Sequence, residues 1–540
     1  MSTDTLWDYI IVGAGSSGCV LADRLSRNSN NRVLLLEAGG SDSSPLIHMP
    51  KGIGKLSIDP KHTWHHKVQQ PRIAGEKATE VWVGGRGIGG SSSINGMIWI
   101  RGHPKDYDAW ADAGATGWGW DTMKRAFRAV EDHEMGPGDG RGVGGPVHIS
   151  SGTYRYPLAE AAIKAGEEMG LERKADLNSE HQEGIGYYSH NIYKGRRQSA
   201  AVAFLKPARR RPNLKVVTGC KVVRVLFDGR RAIGVEGELH GEPVRYRLRG
   251  EVILSAGCLI SPVILQRSGI GPGNVLNAAG VDVLHESPNV GQHLRDHLGL
   301  SLPFRLKGVP GNNREFRKLG LVRNVIRYYL FHTGPLATGP YEVGGFVRTS
   351  PDKTRPDLQL FAGAFTFARK QDPNFPIQLS SVEKKPGMTF YGQLLRLESE
   401  GSIAINGKSV HEPIAIVPNW LATAADQKAA VNAVRYVRRL AGQPALAPYL
   451  ADELSPGTQH QSDEAILDAV RHLSRAGVHY VGTCGMGGET AVLDPDCRVR
   501  GVEGVRVVDC SAMPLLVSGN TNAPAIALAW QAANRMGAVV

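Results

Sequence analysis

Cysteine is scarce in this sequence, with six in 540 residues and no CxxC pair, so neither a disulfide framework nor a cysteine-based zinc site has the spacing it needs. Cys484, Cys497 and Cys510 recur every thirteen residues, but nothing else repeats with them. Long hydrophobic runs are missing too. The leading stretch MSTDTLWDYIIVGAG lacks a basic n-region, and its apolar run is too short for a signal h-region or a membrane span. The expectation is a cytoplasmic protein, with peripheral membrane contact left open. Acidic residues are the minority charge: 63 Lys and Arg against 51 Asp and Glu give a net +12. The basic clusters, such as Arg209-Arg210-Arg211 and Arg438-Arg439, are scattered and do not interleave with aromatics. That excludes the usual nucleic-acid modules, and no nucleic-acid partner is expected. The surplus reads as a solvated basic surface.

Glycine, at 66, is abundant instead, and it falls in tight pairs inside apolar segments, where it marks turns and close backbone approaches. The length points to two domains. Tyr9 to Val12 is a short apolar strand, followed by Gly13-Ala14-Gly15-Ser16-Ser17-Gly18 and a helical pattern from Cys19 to Arg27. A second apolar strand, Val33 to Leu36, ends in Glu37. This is a parallel crossover unit carrying G-x-G-x-x-G. Gly13 serves the tight turn, Gly15 lets a pyrophosphate approach, and Gly18 lets the helix pack on the sheet. Phosphates then sit on the helix N-terminus. Glu37, nineteen residues after Gly18, has the spacing of a carboxylate on ribose hydroxyls, and it argues against a 2′-phosphate.

Further on, strands are expected across Asn213–Val235, with an Asp228-Gly229 hairpin, and at Glu251–Ala256. Helices are expected at Met123–Val130, around Phe316–Phe331 with closure by Gly334 and Pro335, and near Asp426–Leu440. A last strand and helix cover Val505–Val508 and Ala523–Met536. Nucleotide-fold pieces thus recur at the start, middle and end of the chain. The expected fold class is α/β: a discontinuous Rossmann-type domain (1–155, 200–300, 475–540) with an inserted α+β substrate-binding domain (156–199, 301–474).

Gly85 to Trp99 strings small residues into a loop where backbone can lie against a flat ring. Read through Gly102 to Asp108, this segment resembles the first signature of the glucose–methanol–choline (GMC) flavin oxidoreductase family. The second signature is matched by Gly257 to Gly271, with Cys258 where a small Ala, Ser, Thr or Pro is usual. Near the C-terminus, His479-Tyr480-Val481-Gly482-Thr483-Cys484-Gly485-Met486-Gly487 is similar to the family's HxxGTCxMG segment.

The resemblance implies FAD as cofactor and His479 with Asn520 as the catalytic pair. A base is needed because hydride leaves an alcohol carbon easily only as the hydroxyl proton is lost; histidine suits that role, and an amide can donate to the developing alkoxide. Cofactor contacts are implied for Gly13, Gly15, Ser16, Ser17, Gly18, Glu37 and Ala38 in the nucleotide turn. In the first signature they are Arg86, Gly89, Gly90, Ser91, Asn95, Gly96 and Met97; elsewhere they are Val223, Ala256, Asp509 and Thr521. Ile94 stands where some relatives carry the histidine that links flavin covalently, so a non-covalent FAD is expected. No metal is expected.

The function implied is oxidation of an alcohol, primary and aliphatic or similar, to the aldehyde, with oxygen, a quinone or another acceptor reoxidising the flavin. The natural alcohol, the acceptor and the oligomeric state stay open at this level. Tyr341, Phe365 and Gln393 are expected in the substrate pocket by analogy. The alternative is an FAD-containing lyase of the hydroxynitrile type on the same fold. A light-driven fatty-acid decarboxylase fits less well, because His479 is present and Leu395 stands where those relatives carry cysteine. A non-enzymatic binding role is the weakest reading, since the His/Asn pair is intact.

Overall fold

Five parallel strands form the core of the first sheet, in the order Leu214–Thr218, Val33–Glu37, Leu6–Val12, Glu242–Leu254 and Val505–Val507. Their apolar runs are short and buried on both faces, as parallel strands flanked by helices must be. The computed structural model describes residues 5–69, 79–138, 140–152, 154–369 and 377–538. Strand Glu242–Leu254 is long enough for a second task. Its first half joins an antiparallel meander with Arg231–Leu239 and Cys220–Asp228, turned at Gly229 with φ +56°. Helix Ser16–Leu25 packs on this sheet and against the last helix, Asn522–Arg535. All five parallel strands end along one edge, and Gly13, Glu37, Ala256 and Asp509 lie there, where ligands of open α/β sheets bind.

The second sheet has eight strands, almost all antiparallel, ordered Leu450–Glu453, Leu298–Leu306, Gly387–Leu394, Leu358–Gly363, Val343–Val347, Gly184–Tyr187 and Arg173–Lys174, with Arg475–Ala476 added beside Leu298. The strict two-residue period of a strand sorts its side chains. Leu358, Leu360, Ala362, Met388, Phe390 and Leu394 pack under the helices Pro157–Glu168 and Ala424–Ala441 in one core. Their neighbours Gln359, Phe361, Tyr391 and Gln393 emerge on the other face, toward the first domain. Gln359 pairs with Gln393, and Phe361 with Tyr391.

The expected insert comprises 156–199 and 301–474. The second sheet claims Leu298 and Arg475–Ala476 as well, a shift of a few residues at each junction. The helix read at Met123–Val130 begins at Trp120, and the one near Asp426 spans Ala424–Ala441. Helix Lys318–Phe331 ends at His332 in the left-handed region (φ +51°), before the expected Gly334. No helix among the described residues is long and apolar enough to cross a membrane.

Candidate active site

The nucleotide turn is assembled by close backbone contacts. Gly13 has φ +100°, and a Cβ there would lie 2.5 Å from the Ser255 carbonyl oxygen; one on Gly18 would lie 1.9 Å from the Gly13 oxygen. Gly15 differs: a Cβ would meet nothing closer than 3.9 Å. The first signature docks onto this turn, with Gly89 N–H donating to the Ala14 carbonyl at 2.7 Å and Gly90 so near Gly15 that a Cβ would come within 2.8 Å. Helix Ser16–Leu25 has neither a capping side chain nor an acid in its first turn, and the same holds for Asn522–Arg535. The two N-termini converge: Ser16 Oγ donates to Asn522 Oδ1 at 2.8 Å, and Ser17 Oγ donates to the Ala525 carbonyl at 3.2 Å. Two positive helix ends side by side make a site for anionic groups. Asn522 Nδ2 is buried there with no partner among the described residues, a donor that the sequence reading missed.

Glu37 is buried, and its carboxylate accepts three backbone N–H bonds: Gly39 at 2.7 Å and Gly87 at 3.0 Å on Oε1, and Ala14 at 2.9 Å on Oε2. A carboxylate offers about four acceptor positions, so one remains, on Oε2. Burial pushes its pKa up, and the three donors pull it back. Asp509 is saturated, taking Gly257 N–H and Ser261 Oγ on one oxygen and Ser511 N–H and Oγ on the other. It therefore fastens the second signature to the last strand and has no acceptor position left over.

The remaining expected cofactor residues group as follows. Asn95 Oδ1 accepts from Met97 N–H at 3.1 Å and from Arg197 Nη1 at 2.7 Å. Arg197 is a buried guanidinium that also binds the Ile47, Ser92 and Asn95 carbonyls, and burial lowers its pKa to about 9. It staples the loop that holds Gly96 and the left-handed Met97 (φ +61°). Ser91 Oγ accepts from Gly85 N–H. Arg86 leaves the cluster, with its guanidinium 4.7 Å over the Trp64 ring. Val223 lies at a bulge in the meander, Ala256 sits against Gly13, and Ala38 and Thr521 lie at the edge where the strands end. Ile94 packs with Ile47 and Leu56.

The pair expected to be catalytic is brought together across 41 residues: Asn520 Nδ2 lies 3.0 Å from His479 Nε2. The other ring nitrogen, His479 Nδ1, lies 3.0 Å from His297 Nδ1, and His297 Nε2 lies 3.0 Å from the Val517 carbonyl. A carbonyl can only accept, so His297 carries its proton on Nε2. Burial, and then His479, drive the His297 pKa well down, so this ring is neutral and its Nδ1 accepts. His479 must then donate from Nδ1, which leaves the Nε2 lone pair toward Asn520. Gln359 Nε2 donates to Asn520 Oδ1 at 3.2 Å and orients that amide. Burial lowers the His479 pKa to about 4.

Asp296 holds the backbone beneath, accepting from His479 N–H at 2.7 Å, His297 N–H at 2.8 Å and Val478 N–H at 3.2 Å. Thr483 donates to the Cys258 carbonyl at 2.6 Å, and the Cys258 thiol lies 3.2 Å from the same hydroxyl, so the unusual cysteine fits as a partner of the HxxGTC segment. Asp296, His297 and Gln359 escaped the sequence reading. The one local signal was an adjacent Asp-His pair at the head of the apolar stretch that begins at Leu298. Tyr341 stacks near-parallel on Tyr391 and on Phe365, and Gln393 lies opposite Gln359, so all three residues expected to line the pocket share one face.

The family model described as GMC oxidoreductase matches residues 7–299 with its N-terminal part and 398–529 with its C-terminal part. The chain is 38% identical to an alcohol dehydrogenase (acceptor) of Pseudomonas putida over 98% of its own length and 95% of that protein. It is also 38% identical to the mitochondrial choline dehydrogenase of Homo sapiens, over 98% and 89%. Among solved structures, pyridoxine 4-oxidase from Mesorbium loti superposes with a TM-score of 0.88 at 32% identity, covering 99% of this chain and 100% of that one.

Proposed function

The chain belongs to the GMC oxidoreductases, and from that premise we propose that it is an FAD-dependent enzyme that oxidises a primary alcohol with an apolar body to the aldehyde. One observation carries the reading: the His479–Asn520 pair, with the Nε2 lone pair of His479 fixed by the chain of bonds that ends at Val517. The residues suit the cofactor. The two converging helix N-termini and the Gly13–Gly18 turn would hold the pyrophosphate, and the remaining acceptor position of Glu37 would take one ribose hydroxyl. The Gly89–Met97 loop would lie against the flavin ring. Bound FAD supplies the acceptor for the hydride leaving the alcohol carbon.

The protein's own part is proton handling and positioning. His479 Nε2 removes the hydroxyl proton, and Asn520 Nδ2 donates to the same oxygen as its negative charge grows. The alcohol thus loses one hydride and one proton and leaves as the aldehyde. Because burial disfavours imidazolium, His479 is neutral before the reaction and competent as a base at neutral pH. Phe361, Tyr391 and Tyr341 extend from Gln359 as an aromatic surface for the body of the alcohol.

The test is anaerobic mixing of the purified flavoprotein with a panel from ethanol to octanol, plus choline. Bleaching of the flavin with stoichiometric aldehyde is the expected result, and aldehyde formed from a cyanohydrin without bleaching would overturn the redox reading. Denaturation should release the flavin into the supernatant, since Ile94 supplies no nucleophilic nitrogen.

A further inference from the structure

Helix Lys318–Phe331 turns its polar side inward. Its buried residues are Asn324, which donates to the Glu315 backbone and carboxylate, and Tyr328, whose hydroxyl reaches the His48 carbonyl. The opposite side is apolar and open: Leu319 is 84% exposed, Val322 and Ile326 55%, Tyr329 53%, Leu330 66% and Phe331 68%. Leu319, Val322, Ile326 and Leu330 follow the i, i+3, i+7, i+11 spacing of one continuous stripe. Seven of the fifteen large apolar side chains exposed among the described residues lie on these fourteen positions. A surface helix of a globular protein has the reverse polarity, and so concentrated an apolar patch marks an interaction face.

Charge says what covers it. Lys318 flanks the stripe on one side, Arg323 and Arg327 flank it on the other, and Arg314 stands just ahead. The one acid between 313 and 332, Glu315, is only 16% exposed and is engaged by Arg323 and Asn324. A second copy of this face meeting the first across a two-fold axis would press two cationic rims together. An anionic bilayer surface takes both parts, the apolar stripe entering the acyl boundary and the rim meeting the headgroups. We propose that this helix docks the enzyme in the plane of an anionic phospholipid membrane. The base of the helix points the same way: Phe316 packs in its small core with Tyr328 and begins a series of rings, Phe365 then Tyr341 then Tyr391, that ends beside Gln393.

The test is co-sedimentation of the FAD-loaded enzyme with vesicles of pure phosphatidylcholine or of equal phosphatidylcholine and phosphatidylglycerol. Wild type should pellet with the anionic vesicles, stay in solution with the neutral ones, and be released by salt. Ile326→Glu combined with Leu330→Glu should abolish pelleting, while flavin reduction by a soluble alcohol is unchanged. Lys318→Ala and Arg327→Ala should each weaken vesicle binding by roughly five-fold. Three results would each overturn the proposal: wild type soluble with both vesicles, undiminished pelleting of the double glutamate variant, or a solution dimer in sedimentation velocity that the same variant splits.

Discussion

The two ends of the candidate site handle charge in opposite ways. At the nucleotide end, Glu37 and Asp509 are buried carboxylates met by three and four donors, most of them backbone N–H groups. At the proposed catalytic end, His297 and His479 are kept uncharged, and every link from Gln359 to Val517 is a neutral hydrogen bond between a fixed donor and a fixed acceptor. The first arrangement holds a static architecture around glycine turns. The second keeps a lone pair pointed at one place, with a proton affinity low enough that it is not already filled.

The contrast breaks most severely at Glu37. Glu37→Ala leaves three buried N–H groups without an acceptor, at about 1–3 kcal/mol each. It should lower the melting temperature of the protein as well as its flavin content, and a variant that loses flavin with unchanged stability would show that ribose binding is its whole role. At the other end, His479→Ala should slow anaerobic flavin reduction by roughly two to four powers of ten with flavin content preserved. Asn520→Ala should cost somewhat less, about 10²–10³-fold. In the double variant the losses should fall short of multiplying, because both groups act on one oxygen. Stopped-flow reduction of all four proteins measures this.

A smaller effect tests the fixed tautomer. His297→Ala removes the acceptor for His479 Nδ1–H, and with about 1–3 kcal/mol at stake the reduction rate should fall roughly ten-fold to a hundred-fold. Substrate affinity should hold. His297→Gln, which keeps an acceptor toward His479 and a donor toward Val517, should recover most of the rate; equal defects in both variants would reduce His297 to packing. The mildest probe is pH. His479 has its pKa lowered to about 4, so the acid limb of flavin reduction should lie well below the ordinary histidine value. His66 and His190 are likewise lowered to about 4 by burial. Between the unfolded value near 6.5 and the folded value near 4, the unfolded chain binds more protons, so the melting temperature should drop as pH falls through that window.

By itself the sequence determined whatever depends on local backbone. The Gly13–Gly18 turn, the spacing to Glu37, the small-residue loop from Gly85 and the HxxGTC segment were legible because strained turns and close approaches restrict residue type within a few positions. Most of the expected strands and helices were legible too, though the strand expected at Glu251–Ala256 begins at Glu242, because its first half pairs in the polar-faced meander and lacks an apolar run. Tertiary structure alone decided what the polar groups serve. Glu37 and Asp509 could be placed at the cofactor edge, but not seen to spend most or all of their acceptors on the protein. His297 reaches His479 across 182 residues, and Gln359 reaches Asn520 across 161. Both partners come from the inserted sheet and its lead-in, where register sets which side chains face the site, and no short window of sequence contains that register. The outward apolar stripe of Lys318–Phe331 was hidden for a related reason. Periodicity identifies a helix and its stripe, but which side turns to the core depends on what the rest of the fold presents to it.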